Sequence, residues 1–211
     1  MPLIDATGTG PDLDAALDAA AAALAAGGVV GIPTDTVYGL AAAPQVEGAT
    51  AAVFALKGRP EGAALPVLVA GLDQAATVGD MEGAAGALAA QLWPGGLTLV
   101  VPRRPGIAWD LGGDAATIGL RCPDHEVARE LCRRCGPLVA TSANRHGEPA
   151  LAGASEVVDS FPGLVVLEGG ECRGVASTVV DLTGGEPRLL RAGAVPWEDV
   201  QAALAVGGWG P

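Results

Sequence analysis

The segment Gly28–Leu40 reads GVVGIPTDTVYGL, and the rest of the chain is best understood in relation to it. Its first five residues form a short apolar run typical of a buried strand, and Pro33, which has no N–H to donate to a sheet, ends that run. Thr34, Asp35 and Thr36 then offer two hydroxyls and a carboxylate, which can hold an amino or alcohol group or a hydrated cation. An ordinary β-turn would use the same residues, so other segments must decide between a turn and a ligand-binding loop.

Length and composition predict the general class of the protein. The 211 residues are enough for one domain with a hydrophobic core, and half of them are apolar although only 3% are aromatic. The net charge of -12 disfavours a large basic surface for nucleic acid. The longest uncharged run is interrupted by glycines and by Pro33 and falls short of the roughly 20 apolar residues of a membrane span. We therefore expect a cytoplasmic protein. The spacing of Cys132 and Cys135 is only a weak indication of a metal or redox role.

Predicted strands and helices are interleaved along the chain, which indicates the α/β class: a single domain with a mixed, twisted, open sheet flanked by helices. Strands are expected at 3–6, before Pro33, and at 65–69, 97–101, 116–121, 137–141, 164–167, 178–182 and 188–190. Helices are expected at 12–26, 47–56, 73–78, 83–92, 124–135, 155–160 and 197–205, with Asp12 and Asp124 as N-caps.

Several predicted strands end in polar or cationic residues, and ligand clefts of open α/β sheets lie outside strand ends. The cations of this set are Lys57, Arg59, Arg121 and Arg191, and the neutral donors are Thr36, Thr117, Ser142, Asn144 and Ser177. Such a set suits a ligand with a polyphosphate and a carboxylate. Neither a Walker A sequence nor a glycine-rich dinucleotide motif is present, and neither His125 nor His146 lies in a recognisable triad or zinc motif.

Six segments in a fixed order carry a resemblance to a known family. They are 33–40 (PTDTVYGL), 57–60 (KGRP), 93–98 (WPGGLT), 119–124 (GLRCPD), 141–144 (TSAN) and 177–181 (STVVD). In this order they resemble the YrdC family of threonylcarbamoyl-AMP synthases, in its short single-domain form, over residues 12–195. We therefore expect one YrdC-like domain over residues 1–211 with no separate C-terminal domain.

The resemblance implies a reaction in which L-threonine, bicarbonate and ATP give L-threonylcarbamoyladenylate and pyrophosphate, the first step of threonylcarbamoyladenosine formation in tRNA. It implies catalytic roles for Lys57 and Arg59. It implies ATP contacts from Lys57, Arg59, Thr117, Ser142, Asn144 and Arg191, and threonine contacts from Thr36, Arg121, Ser142 and Ser177. Mg²⁺ would accompany ATP, with Asp35 as a possible contact. Downstream transferases that modify tRNA would be partners, with direct tRNA binding weak or absent.

The implied chemistry suits these residue types. A carbamate formed from threonine must attack the α-phosphorus of ATP, so two anions have to be brought together while charge develops on pyrophosphate. Cations can do this without a histidine base, and loss of Lys57 or Arg59 should cost on the order of 2 to 4 kcal/mol of transition-state stabilisation. Leu68 and Ala63 depart from the histidine and asparagine of many relatives, and residues 145–147 also differ, which leaves threonine selectivity open.

Two other functions remain possible at this point. YrdC-like domains also occur in longer enzymes that form a carbamoyl-adenylate, and a non-catalytic RNA-binding module is a second alternative. Structural roles are expected for three further features: a helix-ending corner at 93–96, Tyr38 packed beneath its loop, and Arg103 and Arg104 on a solvated face.

Overall fold

The described residues of a computed structural model, 3–58, 64–145 and 147–209, contain ten strands that join in one sheet. The strands are β1 (Leu3–Asp5), β2 (Val30–Ile32), β3 (Gly39–Ala42), β4 (Val67–Leu68), β5 (Leu97–Pro102), β6 (Thr117–Arg121), β7 (Leu138–Ser142), β8 (Val165–Glu168), β9 (Thr178–Asp181) and β10 (Arg188–Arg191). The helices are α1 (Pro11–Ala25), α2 (Ala49–Lys57), α3 (Leu72–Ala76), α4 (Ala84–Leu92), α5 (Glu126–Cys135), α6 (Ala154–Ser160) and α7 (Trp197–Val206).

The sheet is mixed, with the strand order β1-β8-β2-β3-β7-β4-β6-β5-β9-β10. Parallel pairs join β1 to β8, β8 to β2, β4 to β6 and β5 to β9, and the other neighbours are antiparallel. Interleaved helices and a mixed sheet confirm the predicted α/β class. None of the described helices is long and apolar enough to cross a membrane.

Strand β3 is absent from the sequence-based expectation, which placed a helix after the polar loop. The loop at 33–38 instead joins β2 to β3 in an antiparallel pair, in which Ile32 lies opposite Gly39. Strand β3 is built from glycine, leucine and alanine, and all four residues are buried. Burial between β2 and β7 outweighs the weak intrinsic strand preference of these small residues, so composition gave no signal for it.

Both predicted N-caps are wrong. Helix α1 begins after Gly10 with Pro11 in its first turn, which places Asp12 inside the helix. Helix α5 begins after His125, one residue beyond Asp124. The C-terminal ends of α1 and α2 lie within one residue of the predicted ends. Each helix is followed by a glycine with positive φ, Gly27 or Gly58, and L side chains avoid that conformation.

Two hydrophobic clusters cover the sheet unequally. Helices α1 and α5 pack on the half of the sheet that contains β2, β3, β7 and β8, and α2, α4, α6 and α7 contribute to a second, larger cluster. Residues of β5, β6 and β9 alternate along each strand: Leu99, Ile118 and Val180 point into the larger cluster, and their neighbours point the other way. On that opposite side the three strands form the floor of a cavity.

Candidate active site

A cavity of about 350 Å³ lies over the sheet beside the polar loop. The side chains from its floor strands are small or polar, and they alternate with core residues: Thr98 and Val100 on β5, Thr117, Gly119 and Arg121 on β6, and Ser177 and Val179 around the start of β9. Thr34 and Thr36 of the loop and Thr141 and Ser142 at the end of β7 complete the polar lining. The cavity therefore collects hydroxyls and guanidinium groups from strands far apart in sequence.

Arg121 is the buried cation of the cavity, with 7% of its surface exposed. Its Nε atom donates to Gly95 O at 3.0 Å, Nη1 donates to Thr36 Oγ1 at 2.8 Å, and Nη2 donates to Asp35 Oδ1 at 2.6 Å. Asp35 Oδ1 also accepts the Asp124 N–H at 2.9 Å. A guanidinium has five N–H donors, and these three contacts leave one on each terminal nitrogen. Two such donors can bind the two oxygens of one carboxylate.

Burial lowers the pKa of the Arg121 guanidinium from its ordinary value, and the adjacent Asp35 carboxylate opposes that shift. Arg191 also contributes a lowering effect, because a second positive charge lies near. Both arginines line the cavity, and Asp35 supplies one balancing negative charge. This end of the cavity consequently favours an anionic ligand.

Arg191 and Ser177 form a second group on the same cavity. The guanidinium of Arg191 donates to Ser177 O through Nε and to Ser177 Oγ through Nη2, each at 2.9 Å. The Ser177 hydroxyl also lies 2.9 Å from Thr98 Oγ1, a buried residue of β5. We call Thr36, Asp35, Arg121, Ser177 and Arg191 the cavity cluster.

Lys57, Ser142 and Asn144 form a different arrangement, here called the wall cluster. Lys57 is 4% exposed, and its Nζ lies 2.6 Å from Ser142 O, 2.7 Å from Asn144 Oδ1, 3.1 Å from Asn144 O and 3.3 Å from Ser142 Oγ. Ser142 Oγ donates to Asn144 Oδ1 at 2.6 Å. An ammonium has three protons, so these four acceptors are enough to use all of them.

The structure brings most of the predicted site residues together. One cavity is lined by all of the following predicted residues: Thr36, Thr117, Arg121, Ser142, Ser177 and Arg191. Lys57 and Asn144 lie behind its wall, in contact with Ser142. Arg59 lies outside the described residues, as do Ala63 and His146. The roles that the resemblance assigns to these residues stay predictions.

Four polar residues of the cavity were not among the predicted contacts. Thr34 was a secondary candidate, and Thr98 and Thr141 belong to segments that carried the resemblance. Arg103 was expected on a solvated face, but it lines the cavity, and this expectation was wrong. A lone polar residue in an apolar strand, such as Thr98 in β5, is the signal that could have indicated a cavity-facing position.

The other structural expectations have clear outcomes. Tyr38 is fully buried and its hydroxyl donates to Gly170 O at 3.0 Å, as predicted; burial raises its pKa to about 12. The corner at 93–96 follows the end of α4, as predicted, and supplies the Gly95 carbonyl to Arg121. His125 is partly buried before α5, with Nε2 3.2 Å from Gly169 O.

Side chains that commonly bind metal ions are not clustered in the described part of the chain. Among residues 3–58, 64–145 and 147–209, no group of three or more histidine, cysteine or acidic side chains could hold an ion. Asp35 Oδ1 is already paired with Arg121 and is not part of the cavity lining. Cys132 and Cys135 are free thiols, and burial raises the pKa of both, which disfavours the thiolate that a metal requires.

Comparison with known proteins supplies the family. A family model described as Sua5_yciO_yrdC, Telomere recombination, matches residues 22–193. A putative threonylcarbamoyl-AMP synthase of Mycobacterium leprae (strain TN) is 40% identical over 191 residues, covering 89% of this chain and 87% of the relative. The chain belongs to the Sua5/YciO/YrdC family.

Other members of the family extend the comparison. The threonylcarbamoyl-AMP synthase of Homo sapiens is 40% identical over 192 residues, covering 84% of this chain and 67% of the human protein. The crystal structure of P. abyssi Sua5 complexed with L-threonine has a TM-score of 0.89 and 34% identity, and it covers 97% of this chain and 61% of that one. The predicted resemblance and the predicted fold are both confirmed.

Proposed function

We propose that this chain is an L-threonylcarbamoyladenylate synthase. The observation that carries the proposal is the cavity cluster, in which a buried arginine with two remaining donors is held beside two hydroxyls and a second arginine. That arrangement suits the carboxylate, hydroxyl and amine of L-threonine. The names of the relatives support the same assignment, since they are called threonylcarbamoyl-AMP synthases at 40% identity over most of this chain.

In this reaction, L-threonine, bicarbonate and ATP yield threonylcarbamoyl-AMP, pyrophosphate and water. A carbon–nitrogen bond first joins the threonine amine to the bicarbonate carbon with loss of water. A carbamate oxygen then attacks the α-phosphorus, and the bond to the β-phosphate breaks, so that pyrophosphate leaves with the electron pair. Cytoplasmic location and a later transferase that passes the threonylcarbamoyl group to tRNA form part of the proposal.

Different residues of the cavity bind the two substrates in this proposal. Arg121 pairs with the threonine carboxylate, and Thr36 and Ser177 orient the amino acid so that its amine faces the nucleotide. Thr117, Ser142 and Arg191 contact ATP, and Lys57 and Asn144 hold Ser142 in place and face the phosphates when ATP is bound. Substrate anions that repel each other in water are thereby held together by fixed donors.

Mg²⁺ belongs to this proposal as a companion of ATP. The described residues offer no carboxylate cluster for a resident ion, and Mg²⁺ commonly binds substrate phosphates while keeping several waters. Bound in that way, it would neutralise phosphate charge during transfer. Asp35 is available as an outer contact only through the carboxylate oxygen that does not face Arg121.

The proposal is tested by pyrophosphate release from purified protein with Mg-ATP, bicarbonate and L-threonine. We expect release to require both threonine and bicarbonate, and to yield a threonylcarbamoyl-adenylate detectable by mass spectrometry. L-serine and L-valine, which keep only the hydroxyl or only the branched side chain, serve as matched substrates. Release that continues without threonine, or binding of tRNA without adenylate formation, would contradict the synthase assignment.

A further inference from the structure

Arg103 lines the same cavity as Arg121 and Arg191. It follows β5, where Pro102 pairs with Thr117 of β6, and it lines the cavity beside Thr117. Its Nε atom donates to Thr117 O at 3.1 Å, and Nη1 donates to Trp109 O at 2.8 Å. Two backbone carbonyls thus hold the guanidinium in a fixed orientation.

The remaining donors of Arg103 lack a charged acceptor in the part of the chain that the structure describes. Two of its five N–H groups are used by the carbonyls, which leaves three on the terminal nitrogens. Asp110 and Asp114 act on it electrostatically, but the hydrogen bonds of Arg103 to described residues go to the two carbonyls and not to these carboxylates. A partly buried guanidinium with fixed geometry and an open fork is suited to a bidentate oxyanion.

The position of Arg103 places it away from the proposed threonine end. Thr117 and Arg121 lie at the two ends of β6, four residues apart, which corresponds to roughly 13 Å along the strand. Arg121 holds the cavity cluster at one end, and Arg103 lies next to Thr117 at the other. Two anionic groups of the reactants are therefore expected at these two ends.

We propose that Arg103 binds the β- and γ-phosphates of ATP, and the same group when it leaves as pyrophosphate. The inference rests on the proposed function, because it assumes that ATP enters this cavity. It adds a contact at the end of the cavity where the carbonyls of Thr117 and Trp109 hold the guanidinium in place. A cation fixed there stabilises the negative charge that develops on the leaving group.

The test is isothermal titration calorimetry of the Arg103→Gln protein with four separate probes: ATP, inorganic pyrophosphate, AMP and L-threonine. We expect the affinity for ATP and pyrophosphate to fall about 10- to 100-fold, because a charged hydrogen-bonded pair is lost. Affinity for AMP and L-threonine should stay within about twofold of the unchanged protein. An Arg103→Lys variant, which keeps the charge but not the fork, should lie between the two.

Arg104→Gln is the matched control, because Arg104 is the adjacent arginine, is exposed and does not line the cavity. It should bind all four probes like the unchanged protein. Unaltered ATP and pyrophosphate affinity in Arg103→Gln, or an equal loss for AMP, would overturn the inference. If the unchanged protein binds pyrophosphate through Arg103 but makes no adenylate from threonine, the proposed function fails and this inference stands.

Discussion

The wall cluster and the cavity cluster use their cations in opposite ways. Lys57 of the wall cluster directs its protons at acceptors within the protein, at Ser142 and Asn144. Arg121 of the cavity cluster uses three donors to fix its own position and keeps two on its terminal nitrogens. A compact ammonium suits the shaping of a backbone turn, whereas a planar guanidinium can be anchored and still bind a ligand.

This difference gives Lys57 a structural task that the sequence alone did not suggest. A role of Lys57 toward phosphate requires its ammonium to exchange one protein acceptor for a phosphate oxygen. Arg121 requires no such exchange to meet a carboxylate. The two clusters should therefore respond differently to mutation. Changes in the wall cluster should act mainly on stability, whereas changes in the cavity cluster should act on threonine affinity, with an added loss of stability where Asp35 is left unpaired.

The largest effect is expected for Lys57→Met. It leaves several buried acceptors of Ser142 and Asn144 without a donor, and we expect the free energy of unfolding to fall by about 4 kcal/mol. Urea denaturation measures the change, and pyrophosphate release should be lost with it. A variant that unfolds like the unchanged protein but has a raised KM for ATP would show that Lys57 serves the phosphate and not the wall.

Arg121→Met is expected to act mainly on substrate affinity. Loss of the paired donors should raise the KM for L-threonine about 100-fold, equivalent to about 3 kcal/mol, and leave the KM for ATP nearly unchanged. Steady-state kinetics with each substrate varied in turn provides the measurement.

Asp35→Asn supplies the control for Arg121→Met. It removes the buried carboxylate that Arg121→Met leaves without its partner, so the double variant should recover stability but not threonine affinity. An equal rise in both KM values for Arg121→Met would contradict a specific role at the carboxylate.

Tyr38 lies at the end of the loop at 33–38 that supplies Asp35 and Thr36 to the cavity cluster, and its buried hydroxyl makes stability depend on pH. Burial raises its pKa to about 12, so the folded protein keeps the phenol proton between pH 10 and 12 while the unfolded chain loses it. Its contribution to stability is complete below pH 10 and falls by about 1.4 kcal/mol per pH unit between pH 10 and 12. Denaturation of the unchanged protein and Tyr38→Phe across this range should show the steeper loss only when the hydroxyl is present.

The smallest effect is expected for Thr98→Val, which removes a hydroxyl at nearly constant volume. Loss of the contact with Ser177 Oγ should weaken threonine binding by about 1 kcal/mol, which raises the KM for L-threonine about fivefold. Thr178→Val is the matched control, because Thr178 is buried next to Ser177 but bonds Val195 O. The control should lower stability without raising the KM for L-threonine. Equal KM changes in the two variants would contradict a role of Ser177 in threonine binding.

Local patterns predicted much of the fold, because most elements carry their own signal. Apolar runs marked β5 and β6, and glycines with positive φ ended helices close to the expected residues. Strand β3 was missed because its glycine and alanine residues have little strand preference and become a strand only between two neighbours. Register and strand order are likewise products of long-range pairing.

By itself, the sequence determined which chemical groups are available: the polar loop, the cations that follow strands, and the hydroxyls at strand ends. Only the tertiary structure decided where each group points. It directed Lys57 into the wall and Arg121 into the cavity, and it brought Arg103 from an expected solvated face to the cavity lining. The physical reason is that strand pairing and side-chain alternation set the direction of a side chain, and both depend on residues distant in sequence.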